Sequence, residues 1–206
     1  MPNSIEEAVA ALAAGEMIVL TDDEDRENEG DLISAGAFAT SDIVNFMVTH
    51  GRGVLCVPVA PEVAARLSLA LPPGKHDPRG TAFSQSLDAV SGTTTGVSAS
   101  DRARTIAEIL RPDSSADDFY TPGHVYPLLG RPGGVLERAG HTEGTLDLVR
   151  LAGLPPVGVL CEILNPDGTM ARMPDLERFT ARHRLKLATI ADLVAYLRKT
   201  TMGRSN

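Results

Sequence analysis

Between Asp22 and Asp31 the stretch TDDEDRENEGDLI (residues 21–33) carries seven carboxylates, opposed there by Arg26 alone. Carboxylates this dense repel one another at neutral pH unless water or a cation neutralises them, and a hard divalent ion with oxygen ligands is the usual relief. Asn28 and Gly30 interrupt the run, so it reads as a tight loop rather than the exposed face of a helix. Like-charge blocks on their own are most often solvent-facing. This one is wedged between Met17-Ile18-Val19-Leu20 and Leu32-Ile33, two apolar runs with the length of buried strands, where open sheets place their sites. Two more places could do chemistry. In ERAGHTEGTLDLVRLAGL (residues 137–154), Arg138 and His141 precede a helix expected to begin near Thr142. Backbone amides at such an end, with an arginine and a hydroxyl beside them, make an anion site suited to phosphate. Glu162 lies on an apolar strand candidate, residues 157–164, and His124 in a Pro-Gly-His turn. Each is weak evidence alone, since a single histidine is commonly a loop or core residue and a strand glutamate commonly pairs with arginine.

The elements that must position these groups alternate along the chain. Ser4 and Glu7 form a capping box for a short helix with Ile5, Val9 and Leu12 on one face, stopped by Gly15. After the strand, acidic loop and second strand, Ser41 is expected to cap a helix with Ile43, Phe46, Met47 and His50 on one side, followed by a strand at 54–57. Pro61 opens a third helix, and Leu71-Pro72-Pro73-Gly74 ends the pattern before a segment, 75–80, expected to be a mobile loop. Residues 82–90 alternate as a half-buried strand and lead into SGTTTGVSASDRA, whose Thr93-Thr94-Thr95-Gly96 run reads as a turn or an anion-holding loop. Ser100 is expected to cap the next helix, residues 111–121 to be loop, and the short apolar piece 125–129 to lie between clusters of Gly and Pro. A turn at Asn165-Pro166-Asp167-Gly168, a helix over 174–183, a strand at 185–188 and a helix capped by Thr189 complete the pattern. This predicts an α+β fold of one domain over 1–206, a mixed twisted sheet flanked by helices on both faces in a three-layer sandwich.

Composition narrows the classes. With 206 residues, 43% hydrophobic and 22% charged, the chain is of ordinary globular make-up. Its formal net charge of −8 disfavours nucleic acid as a partner, because Lys and Arg supply most of that affinity. Cys56 and Cys161 lack metal-type spacing and read as core thiols. No secretory leader or stretch of about 18 apolar residues is visible, so a cytoplasmic protein without a membrane partner is expected.

The strings DDEDRENEGDLI, TTGVSASDRA, PGHVYPL, RAGHTEG and GVLCEILNPDGTMAR, in this order from about residue 17 to residue 196, resemble the 3,4-dihydroxy-2-butanone 4-phosphate synthase family of riboflavin biosynthesis. The resemblance implies a carbon-carbon lyase that converts D-ribulose 5-phosphate to 3,4-dihydroxy-2-butanone 4-phosphate and formate, with two Mg2+ or Mn2+ ions per site and a homodimer whose sites lie near the interface. It implies Glu27 and His141 as metal ligands. Arg26, Glu27, Asp31, the run Arg138-Ala139-Gly140-His141-Thr142 and Glu162 are implied as substrate contacts, with His124 and Glu162 needed for turnover. Enolising a ketose requires a base at a carbon-bound proton and a cation on the developing enediolate, which explains a carboxylate beside a metal. The chain departs from the family pattern at Gly144, where GHTEA is usual, and at Leu129, where an arginine is frequent. Many relatives are fused to a GTP cyclohydrolase half, and a chain ending at Asn206 is expected to perform one reaction. The alternatives are another metal-dependent sugar-phosphate isomerase or aldolase, distinguished by the absence of formate, and a non-catalytic metal-binding module.

Overall fold

The computed structural model describes residues 2–75 and 77–203. Helix α1 (Ile5–Ala13) starts where the sequence says it should: the Ser4 hydroxyl accepts from Glu7 N–H while the Glu7 carboxylate accepts from Ser4 N–H. Strands β1 (Ile18–Thr21) and β2 (Gly30–Ala35) flank the acidic loop. Helix α2 (Ser41–Phe46) is capped by Thr40, one residue ahead of the expected Ser41, and passes into a π-helical turn, Met47–Gly51, that closes on Arg52 at φ 71°. Strand β3 (Cys56–Val59) begins two residues later than expected, with Val54 left 47% exposed, and α3 (Pro61–Arg66) has its proline in the first turn. Next come β4 (Leu87–Ala89), α4 (Ala99–Leu110), β5 (Phe119–Leu129), α5 (His141–Leu151), β6 (Gly158–Glu162), α6 (Met173–His183), β7 (Lys186–Thr189) and α7 (Ile190–Gly203).

Three further departures have local causes. The α4 cap is Ser98, whose hydroxyl accepts from Asp101 N–H; Ser100 lies inside the first turn. The strand expected over 82–90 shrinks to β4 plus a single bridge from Phe83 to Leu128, and the supposed loop at 111–121 contains a 3-10 turn, Ala116–Asp118, and the start of β5. Phe119 and Tyr120 there pair with Ala89 and Asp88 of β4. Of the segment expected to be mobile, His76 lies outside the described residues, and Asp77 turns the rest by accepting from Arg79 N–H and Thr81 N–H.

The seven strands form one mixed sheet in the order β4-β5-β3-β6-β2-β1-β7. Side chains alternate between its faces. Val19, Leu32, Val57, Val159 and Cys161 pack with α2, α3, α4 and α6, whereas Ile18, Leu20, Ile33, Cys56 and Leu160 pack with α1, α5 and α7. Two layers of helices thus cover the sheet, as expected. The same period of two puts Asp31 on the face of Ile33 and Glu162 on the face of Leu160, so both carboxylates end up under α5. Among the described residues, no helix is long and apolar enough to cross a membrane.

Candidate active site and metal centre

The acidic loop is built around Asp22. Its Oδ1 accepts from Glu29 N–H at 2.8 Å, and its Oδ2 accepts from Glu27 N–H at 3.0 Å and Arg26 Nη1 at 2.8 Å. The Arg172 guanidinium ties the loop from outside by donating to the carbonyls of Glu27 and Asn28. Asp23, Glu24 and Asp25 are exposed to water, the solvated half of the run. Glu27, Glu29 and Asp31 turn inward and line a cavity of about 160 Å3 with Arg26, Cys56, Thr81, Arg138, His141, Thr142 and Glu162 among its walls.

Across the cavity, α5 begins at His141 itself, one residue before the expected Thr142, with Gly140 as its cap. The absence of a side chain at Gly140 matters: a Cβ there would stand 2.3 Å from Arg138 Nη1 and 3.1 Å from Arg26 Nη2, so glycine admits two guanidinium groups to the helix start. Arg138 is committed on three sides, to Glu143 Oε2 at 2.6 Å, Thr81 Oγ1 at 2.8 Å and the Arg79 carbonyl at 3.2 Å, and it thereby clamps the turn at 77–81 to α5. Ala139 is exposed and does not line the cavity; Gly140 is buried behind it, and Thr142 is buried in the first helical turn.

His141 Nδ1 lies 3.6 Å from Glu27 Oε2 and 4.0 Å from Asp31 Oδ2. Burial alone would lower the imidazole's pKa, but Asp31, Glu27 and Asp22 outweigh it and hold it up, at about 9. Asp31 is pushed up to about 7 by burial, and the carboxylates of Glu162, Glu29 and Glu27 add to the rise against the pull of His141. Strand register explains the crowding, since Asp31 and Glu162 are direct partners across β2 and β6. Like charges opposed in this way are destabilising. Glu162 is held by one bond, Oε2 accepting from Val54 N–H at 2.7 Å, and Gly53 comes so close that a Cβ would fall 2.4 Å from that oxygen.

Two atoms mark where a ligand fits. His141 Nε2 and Asp31 Oδ1 are buried without a hydrogen-bond partner, which is rare for polar atoms and calls for an ion or water. Ligand atoms of Asp22, Glu27 and His141 lie within 4.8 Å of one another. Asp22 already accepts three bonds within the loop, so it shapes the centre; Glu27, whose Oε2 accepts from Arg26 Nη1 at 2.6 Å, could meet a cation together with His141 and the unpaired oxygen of Asp31. Oxygen donors with one imidazole suit Mg2+ and Mn2+.

Sequence reasoning passed over several of these residues. Asp22 was visible only as one of seven similar acids, and Glu143 only as the fourth letter of the GHTEG string. Cys56, expected to be a core thiol, is buried but also lines the cavity, its thiol pushed well above the usual range by burial, Glu162 and Asp31. Cys161 is a core thiol as expected, pushed up to about 12, chiefly by burial. His124 is not brought to the cavity within one chain; it stands on β5, half exposed, against Asp88.

The open mixed sheet thus carries a buried acidic and imidazole cluster, of a composition that could hold a divalent cation, at the wall of a small cavity. The chain belongs to the 3,4-dihydroxy-2-butanone 4-phosphate synthase family, whose model matches residues 6–196. It is 53% identical over 204 residues to the riboflavin biosynthesis protein RibBA of Aquifex aeolicus (strain VF5), covering 97% of this chain and 50% of that protein. It is 49% identical to the 3,4-dihydroxy-2-butanone 4-phosphate synthase of Pseudomonas aeruginosa, covering 94% of this chain and 53% of that protein. The chain therefore spans about half the length of the curated relatives it matches. A crystal structure of a 3,4-dihydroxy-2-butanone 4-phosphate synthase in complex with two magnesium ions superposes with a TM-score of 0.91 at 40% identity, covering 97% of this chain and 98% of the other.

Proposed function

We propose that this protein cleaves D-ribulose 5-phosphate to 3,4-dihydroxy-2-butanone 4-phosphate and formate. The observation that carries the reading is the opposed pair Asp31 and Glu162 beside the unpartnered His141 Nε2, since a buried acid pair next to a free imidazole nitrogen suits proton transfer at a cation. The cavity wall carries Glu27, Glu29, Asp31, Asp77 and Glu162 against Arg26, Arg138 and His141, so an anionic sugar phosphate is admitted only together with cations.

Glu27 and His141 would hold the metal, with Asp31 completing the oxygen donors. Bound there, a divalent ion supplies a Lewis acid for vicinal oxygens of the ketose. Glu162 accepts the carbon-bound proton: its Oε2 is fixed by Val54 N–H, which leaves Oε1 to work, and a strand carries it more rigidly than the loop carries Glu27. Burial and the neighbouring carboxylates raise Asp31 to about 7, a rise that a cation held beside it would oppose. Arg26, Arg138 and the first turn of α5 at Thr142 orient the phosphate. His124 serves turnover from a second copy of the chain. Its exposed place beside the apolar Val97, Tyr120 and Tyr126 supports a homodimer that brings it to the neighbouring cavity. Two ions, and Mn2+ as a substitute for Mg2+, belong to the same reading.

The test is formate release from ribulose 5-phosphate with and without chelator, combined with light scattering. Chelator-sensitive formate from a particle of twice the chain mass is expected. Turnover to an isomeric pentose phosphate without formate would replace this reading by the isomerase one, and a stable monomer with full activity would remove the dimer.

A further inference from the structure

Strand β5 does not run evenly along β4. Leu87 pairs with Val125 while Asp88 pairs with Tyr120, so Thr121, Pro122, Gly123 and His124 form an excursion on one strand only. Gly123 allows it: a Cβ there would fall 2.1 Å from the carbonyl carbon of Leu87 and 2.3 Å from Asp88 N, and its N–H donates to both the Ser86 carbonyl and hydroxyl at 3.0 Å. Bulges re-aim side chains, and this one turns His124 onto Asp88. The carboxylate grips it twice. Asp88 Oδ1 accepts from His124 N–H at 3.0 Å, and Oδ2 lies 2.7 Å from His124 Nδ1. A third element seals the pair, for a Cβ on Gly96, at φ 85°, would stand 2.1 Å from Asp88 Oδ2 and 2.6 Å from His124 Nδ1. The loop bearing Gly96 is pinned in turn by Asp101, which accepts from Thr94 N–H, the Thr94 hydroxyl and Gly96 N–H. Asp101 is thus spent on the loop, and Asp88 is the acid that meets the ring.

We propose that Asp88 is the positioning residue for His124, keeping a proton on Nδ1 and presenting Nε2 as the reactive nitrogen. This rests on the reading of His124 as necessary for turnover. A neutral imidazole carries one N–H and an ionised carboxylate can only accept, so the 2.7 Å contact places that proton on Nδ1. The double hold from backbone and ring, with Gly96 against both, also fixes the plane of the ring. With Asp88 9% exposed and the His124 side chain 47% exposed, the anchored end is inside and the free end faces out, toward whatever docks on this face.

The test uses the intact chain labelled with 15N-histidine. Long-range 1H–15N spectra read the tautomer, and formate release gives kcat and KM for the wild type, Asp88→Asn, Asp88→Ala and His124→Gln. The expected wild-type spectrum is that of the Nδ1–H tautomer. Asp88→Asn should lose that tautomer and about tenfold to a thousandfold in kcat, with KM within about threefold, because orienting a ring acts on the step and not on substrate affinity. An Nε2–H tautomer in the wild type overturns the proposal even if every variant fails to fold. So does Asp88→Asn with unchanged spectrum and kcat while His124→Gln is inactive, which leaves the role of His124 standing. Wild-type turnover by His124→Gln sinks instead the reading beneath it.

Discussion

Replacing Glu162 with glutamine separates chemistry from architecture. Among the described residues Glu162 has no arginine partner; it accepts one bond from Val54 N–H and faces Asp31 across β2 and β6. Glutamine keeps the size and an acceptor for Val54. Weakening a charge-assisted bond to a neutral one costs about 1 kcal/mol. Removing a like charge from a direct cross-strand pair returns up to about 1 kcal/mol. The two nearly cancel, so the melting temperature should stay within roughly 4 °C of wild type at this chain length. Turnover should not survive, because an amide cannot accept the proton, and a loss of about a hundredfold or more is expected. Scanning calorimetry on metal-free protein and single-turnover formate release from the same preparation make the comparison. A melting temperature lowered by 10 °C or more, with formate release intact, would show that Glu162 is an architectural residue (a drop of that size is about 3 kcal/mol here).

Glu27→Gln and His141→Ala should each abolish the thermal stabilisation that Mn2+ gives the wild type, worth about 2.7 kcal/mol at a hundred times the dissociation constant; a full Mn2+ shift in either variant removes it from the ligand set. Asp22→Ala frees three donors in the loop and should cost about 1–3 kcal/mol while weakening Mn2+ binding in calorimetric titration, and unchanged affinity would show that the loop keeps its shape without it. His183 is held below the ordinary histidine range by burial, His50 and Arg182, with ring centroids of His50 and Phe179 at 4.8 and 4.6 Å. A native state that resists protonation keeps this contribution above the ordinary pKa of about 6.5 and loses it as pH falls, so His183→Phe should lose less stability than wild type between pH 7 and 5; parallel melting curves would refute this.

Much of the architecture was legible because it rests on local physics. The Ser4 and Glu7 box, the apolar runs at 17–20 and 157–164, and Pro61 in a first turn carry their structural meaning within a few residues. The errors at Ser41 and Ser100 are of the same local kind: with several hydroxyls in a row, only the backbone angle decides which one caps. The site was legible in part. Glu27, Asp31, His141 and Glu162 announce acid, base and ligand chemistry, but the opposition of Asp31 to Glu162 depends on register between strands 131 positions apart, which no local pattern encodes. For the same reason Cys56 looked like an ordinary core thiol, and the β5 excursion that sets His124 against Asp88 was hidden in a run of breakers.

The order of strands also governs when the protein can first exist during synthesis. Ribosomes deliver β1 and β2 within the first 35 residues, yet β2 must wait for β6, starting at Gly158, and β1 for β7, starting at Lys186. At about 5–20 residues per second that gap lasts roughly 6–30 s. Throughout it, a nascent hairpin of Ile18, Leu20, Leu32 and Ile33 has no lasting neighbour, and the acidic loop at its tip is the hairpin's one strongly charged stretch. Two such hairpins carry the same dense negative charge at their tips, and like charges repel, which works against edge-to-edge pairing of unfinished sheets.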